Sequence, residues 1–192
     1  MIHNKYFYVL KQFLGNYGRE LYGRELIGKI AMSQKGIALA LEELENTATL
    51  KSRKQGSIKY YRLNAENTEI KDFLVVAELL RKAEFLASHR KLAYLFREDD
   101  RIVGVFGSYA RGVEKEGSDL DIFVIGGKGP DYEEKGKELD IDGSVKLFSK
   151  TQWKELLLSK NTLAKEIVYN HVLIFGAERF VSEAWRVYYG FN

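Results

Sequence analysis

Apolar residues recur along this chain at two distinct spacings. Tyr6, Val9, Leu10, Phe13 and Leu14 fall at helical intervals and predict a first amphipathic helix that stops at Gly15. Gly23 to Ala31 reads as a short second helix. Met32-Ser33-Gln34 follows as a tight turn with Ser33 as N-cap, and Lys35 to Leu44 as a third helix. In that third helix Ile37, Leu41 and Leu44 point inward, and Ala38 and Ala40 are small enough for close packing. The pattern then changes to strands, Thr49–Arg53 and Ser57–Leu63, around a Lys54-Gln55-Gly56 turn. Ile70 to Ser88 reads as one long helix and Lys91 to Glu98 as a shorter one. The runs Arg101–Phe106 and Ser118–Ile125 are β-branched and aromatic, so they predict buried strands. Two helical stretches, around Trp153–Leu157 and over Thr162–Asn170, precede a compact apolar strand, Val172–Gly176, and a last amphipathic helix. The aromatics of that last helix, Phe180, Trp185, Tyr188 and Tyr189, read as core or subunit-contact positions rather than as a platform for nucleobases. We therefore divide the chain into residues 1–65, a helical connector 66–94, and a larger unit 95–192.

Composition narrows the chemistry. With 45% hydrophobic and 30% charged residues the chain can bury a core. It has no Cys and only three His, which excludes disulfides, thiolate nucleophiles and Cys-ligated zinc and disfavours a His-rich metal centre. No apolar run reaches the ~20 residues of a membrane span, and the first residues do not read as a signal peptide, so a soluble cytoplasmic protein is expected. Charge is uneven: residues 1–65 carry eleven Lys/Arg against five Asp/Glu, net +6, which leaves −3 for the rest of a chain of net charge +3. The basic segment suits an anionic polymer and the acidic one suits cations.

Helix, helix-turn-helix and basic hairpin together resemble the winged-helix family of DNA-binding domains. The resemblance implies that the third helix enters the major groove, with Gln34 and Lys35 as base readers, while Lys51, Arg53, Lys54 and Lys59 on the hairpin contact phosphates. Use of the same fold as a protein-interaction or dimerisation module stays open, and the apolar face of the connector helix suits either a homodimer seam or packing within the chain.

The densest chemistry lies in residues 107–121. Gly107 and Ser108 end a strand; a Gly lets the backbone approach a phosphate, and a Ser hydroxyl can bind its oxygens. In the next strand Asp119 and Asp121 point the same way, and two adjacent carboxylates call for a cation. Oxygen ligands suit Mg²⁺ or Mn²⁺, which take one or two carboxylates together with substrate phosphates. Gly107-Ser108, ten residues, then Asp119-Leu120-Asp121 resembles the signature of the DNA polymerase β nucleotidyltransferase superfamily, in its minimal nucleotidyltransferase branch. The string from Gly107 through Ala110-Arg111-Gly112 to Gly126 fits that branch.

The resemblance implies an α+β chain: a winged helix-turn-helix followed by a polymerase β-like domain with a mixed sheet. It implies a nucleoside triphosphate substrate, Gly107, Ser108 and Arg111 on the nucleotide, and Asp119 and Asp121 on the metal. It also implies a third carboxylate on a later strand, where it completes the metal site and assists deprotonation of the acceptor. Within Glu138–Phe148, Asp142 is our first choice and Asp140 the second. Aligned from Phe148 the position falls nearer Ser144, and Asp142-Gly143 is also a turn signal, so a site without a third acid stays open. The expected activity is metal-dependent transfer of a nucleoside monophosphate to a hydroxyl acceptor, which includes a protein acceptor such as a cognate toxin. The alternative is a winged-helix transcriptional regulator whose degenerate transferase domain senses nucleotide.

Overall fold

The computed structural model describes residues 4–191. The first described element is helix α1 (Asn4–Leu10), which tightens into a 3₁₀ turn over Lys11–Phe13 and is followed by a turn with Gly15 at φ +81°. Strand β1 (Leu21–Tyr22) follows, then helix α2 (Gln34–Asn46), and the hairpin of β2 (Leu50–Gln55) and β3 (Ile58–Leu63). These strands form an antiparallel sheet in the order β1-β3-β2. Ser33 caps α2, its hydroxyl accepting the Gly36 N–H at 3.1 Å. Ile37, Ala40, Leu41 and Leu44 are the buried stripe of α2.

Three local expectations are corrected here. The second helix is not Gly23–Ala31 but a single 3₁₀ turn, Gly23–Leu26, because Ile27 is extended and Gly28 takes φ +79°. Ala38 faces outward. Lys54 and Gln55 lie inside β2, paired with Lys59 and Ile58, so the hairpin turns at Gly56-Ser57, with Gly56 at φ +60° supplying the left-handed residue of a two-residue loop.

Helix α3 (Ile70–Ser88) and the short α4 (Arg90–Leu95) lead to β4 (Ile102–Phe106), whose residues are all buried. Then come α5 (Gly107–Arg111), β5 (Leu120–Ile125), α6 (Tyr132–Glu138), β6 (Gly143–Phe148), α7 (Lys150–Leu158), α8 (Thr162–Tyr169), β7 (His171–Phe175) and α9 (Ala177–Glu183). A π-helical segment, Ala184–Tyr188, follows α9. The second sheet has the order β6-β5-β4-β7; β5 and β6 are parallel and the other pairs antiparallel, so it is mixed.

Both faces of this sheet are covered. Phe106, Phe123 and Ile125 pack with Trp153 and Phe180 on one face. Val103, Val105, Leu120, Ile122 and Val124 pack with Leu92, Leu95 and Tyr132 on the other. That double coverage explains why β4 and β5 read as apolar runs rather than alternating strands. The first cluster continues through Leu74 and Ala77 of α3 to Phe13, Leu21 and Leu41, so α3 carries one apolar core from the first sheet to the second. Phe180, Trp185 and Tyr188 lie inside it. Among the described residues no helix is long and apolar enough to cross a membrane.

Candidate active site

The chemistry assembles where β4 ends and β5 and β6 begin. Strand β4 delivers Phe106 opposite Asp121 of β5. The chain then turns at Gly107, which takes φ +71°. A methyl group on this residue would overlap Asp121 Oδ2. Left-handed backbone and lack of space both demand glycine here.

Helix α5 starts directly at that turn and stops at Gly112, φ +66°. The N–H groups of its first turn have no intrahelical acceptors. Ser108 is half-buried at this end, and its hydroxyl makes no hydrogen bond within the described residues. Arg111 closes α5 and is exposed; its guanidinium pairs with Glu166 of α8 at 3.1 Å.

Asp119 is exposed one residue before β5, and Asp121 is half-buried within it. The intervening Leu120 is buried on the opposite face. Asp121 Oδ1 accepts a hydrogen bond from Ser144 Oγ at 2.8 Å, and the parallel register pairs the same two residues. Asp142 stands one residue ahead of β6, exposed, and its carbonyl accepts the Leu120 N–H at 2.9 Å. Asp140 sits in the preceding turn at φ +56°, its carbonyl held by Lys91 Nζ at 2.8 Å. The residue that the register brings beside Asp121 is therefore Ser144, and among the described residues no three His, Cys, Asp or Glu side chains gather where they could hold a metal ion. Lys146, two residues further along β6, is exposed on the Ser144 face and forms no ion pair within the described residues.

The loop between α5 and β5 is fixed from outside. His89 Nε2 lies 3.0 Å from Glu114 Oε1, while its Nδ1 faces the Phe85 carbonyl at 2.9 Å. The His89 contact holds the Glu114 carboxyl below its ordinary range. The His89 ring also packs against Tyr109, with centroids 5.6 Å apart. Sequence reasoning missed this support, since 25 residues separate the pair with no periodicity to link them. A cavity of about 400 Å³ opens beside it, lined by His89, Lys91, Tyr109, Ser118 and Asp142 among others. That size lies within the ordinary range of small-molecule sites.

The basic residues of the first sheet are placed differently. Gln34 and Lys35 are exposed at the start of α2, and Lys54 is exposed on β2 with no ion pair within the described residues. Lys51 pairs with Glu66 at 2.6 Å, Arg53 with Glu20 at 2.5 Å and Lys59 with Glu45 at 2.5 Å. These hydrogen bonds hold all three carboxyls below their ordinary range. Charge that looked available in the sequence is thus partly neutralised inside the fold.

Compared with known families, the chain matches the family model of a nucleotidyltransferase domain over residues 89–176, the span that contains α5, both aspartates and β4 to β7. No curated protein and no solved structure matches it.

Proposed function

We propose that this chain is a metal-dependent nucleotidyltransferase that moves a nucleoside monophosphate from a nucleoside triphosphate to a hydroxyl acceptor. The observation that carries the reading is Asp121 lying directly against the Gly107 turn, within the span that matches the nucleotidyltransferase domain. A triphosphate bound at the free N–H groups of that turn would face two carboxylates, and like charges at such range need a cation between them. The donor set fits one: Asp119 and Asp121 offer oxygen only, as Mg²⁺ or Mn²⁺ prefers, and substrate phosphates supply further ligands. When bound, such an ion neutralises the triphosphate and polarises its α-phosphorus.

The chain's own residues do the rest. Gly107 leaves room for the Asp121 carboxylate against the backbone, and Ser108 donates its hydroxyl to a phosphate oxygen. Arg111 and Lys146 add positive charge, Arg111 after leaving Glu166. The acceptor hydroxyl forms its bond to the α-phosphorus as the bond to the β-phosphate oxygen breaks, and pyrophosphate leaves. Asp142, exposed at the mouth, takes the acceptor's proton. The cavity beside Tyr109 gives the nucleoside or the acceptor its space.

The order α1, β1, 3₁₀ turn, α2 and β2-β3 hairpin supports a winged helix for the N-terminal unit. In that role Gln34, Lys35 and Lys54 are ready to meet DNA, whereas Lys51, Arg53 and Lys59 must first release their carboxylates. A partner protein is the other occupant of the same face. One observation favours the second reading, a regulator that binds nucleotide without turnover: Ser144, not an acid, stands beside Asp121.

The experiment is thermal stability of the full chain with each nucleoside triphosphate and Mg²⁺, Mn²⁺ or chelator, followed by release of pyrophosphate. A ligand at 100 times its dissociation constant adds about 2.7 kcal/mol. We expect metal-dependent stabilisation by at least one triphosphate, lost in Asp119→Asn. Stabilisation without pyrophosphate release on any acceptor assigns the regulator. No stabilisation by any pair at millimolar concentration rejects both readings.

A further inference from the structure

The carboxylate of Asp121 is held from two sides. Its Oδ2 lies against the Gly107 turn, so closely that no side chain fits on that glycine. Its Oδ1 accepts the Ser144 hydroxyl at 2.8 Å. The second contact depends on how β6 begins. Gly143 pairs with Leu120, and a methyl group on Gly143 would meet the Leu120 carbonyl at 2.5 Å. Glycine there lets β6 enter tight against β5, and the next residue then falls directly beside Asp121. A hydroxyl, unlike a carboxylate, donates to Asp121 without adding negative charge.

We propose that Ser144 is a positioning residue of the cation–nucleotide site, its hydroxyl fixing the Asp121 carboxylate so that Oδ2 stays turned toward the Gly107 turn. The inference rests on the site reading above and adds to it a role for a residue that touches neither phosphate nor cation. Without the hydroxyl the carboxylate is free to rotate about its Cβ–Cγ bond, and the geometry offered to a cation is no longer set in advance. Hydrogen bonds of this kind to metal-holding carboxylates are typically worth about 10–100-fold in metal affinity.

The test uses the full chain and equilibrium titration with Mn²⁺ and the nucleoside triphosphate that stabilises the wild type most. Three variants are compared: Ser144→Ala, Ser144→Thr and Asp121→Asn. We expect Ser144→Ala to weaken Mn²⁺–triphosphate binding by about 10–100-fold. Ser144→Thr keeps the hydroxyl on a residue that suits a strand, and should bind within about threefold of wild type. The melting temperature of each ligand-free Ser144 variant should stay close to wild type, which separates positioning from folding. Equal binding by Ser144→Ala and wild type, with binding lost in Asp121→Asn, overturns the role of Ser144 while leaving the site intact. Equal weakening in the Ala and Thr variants overturns it too, because packing rather than the hydroxyl would be at work. A wild type that binds no Mn²⁺–triphosphate at all rejects the site itself, and this inference with it.

Discussion

At Gly107 one missing side chain serves the fold and, on the function proposed above, the chemistry as well. Its φ of +71° and the Asp121 carboxylate pressed against it exclude any Cβ. Gly107→Ala should therefore cost about 1–3 kcal/mol of stability from backbone strain. It should also abolish stabilisation by metal and triphosphate, because the added methyl displaces Asp121. Denaturant unfolding and the nucleotide thermal shift check the two parts, and a variant that keeps both properties would refute this account. Gly107, Ser108, Asp119 and Asp121 can be singled out from the sequence because their types and spacing are local facts. The sequence offered Ser144 alongside Asp142 and Asp140 as the residue facing this site without deciding among them, because register between separate strands is decided by their packing.

Elements show the same division. Strands β4 and β5 were legible as apolar runs, and α2 as a capped amphipathic helix. The segment after Tyr22 resembles a helix in sequence because Leu26, Ile27 and Ile30 imitate helical spacing, while Gly28 breaks it. The hairpin was legible, but its charge state was not. Glu45 lies on α2 and Lys59 on β3, and only the fold brings them to 2.5 Å. Glu45 is held below its ordinary range, so its contribution is fully present above the unfolded carboxylate range, near pH 4.3. It is lost as pH falls through the lowered folded value. Glu45→Gln should accordingly melt below wild type at pH 7, and the gap should close as the pH falls through the lowered Glu45 value. Melting curves over that range are the measurement, and a gap that persists at low pH contradicts the pairing. Because exposed pairs contribute only about 0–1 kcal/mol, the difference will be small.

For the molecule as a whole, α3 is the decisive element. Leu74 and Ala77 join the core of the first sheet to that of the second. Glu78 on the same helix is fully buried and lies 3.0 Å from His171 of β7, whose other nitrogen faces the Ile167 carbonyl at 2.8 Å. Truncating one partner of a buried hydrogen bond leaves the other unsatisfied and costs about 1–3 kcal/mol. With both links in place, the chain should unfold in one cooperative transition by calorimetry, and two separated transitions would show that the units are independent. Glu78→Ala should lower that single transition without splitting it. The sequence by itself determined the elements with strong periodicity, the phosphate-and-carboxylate signature and the uneven charge, since all of these are properties of neighbouring residues. Only the tertiary structure decided which residue stands beside Asp121, which cations are already paired, and that one core runs from α1 to the last aromatics. Those facts depend on residues distant in sequence meeting in space, and no local pattern encodes that.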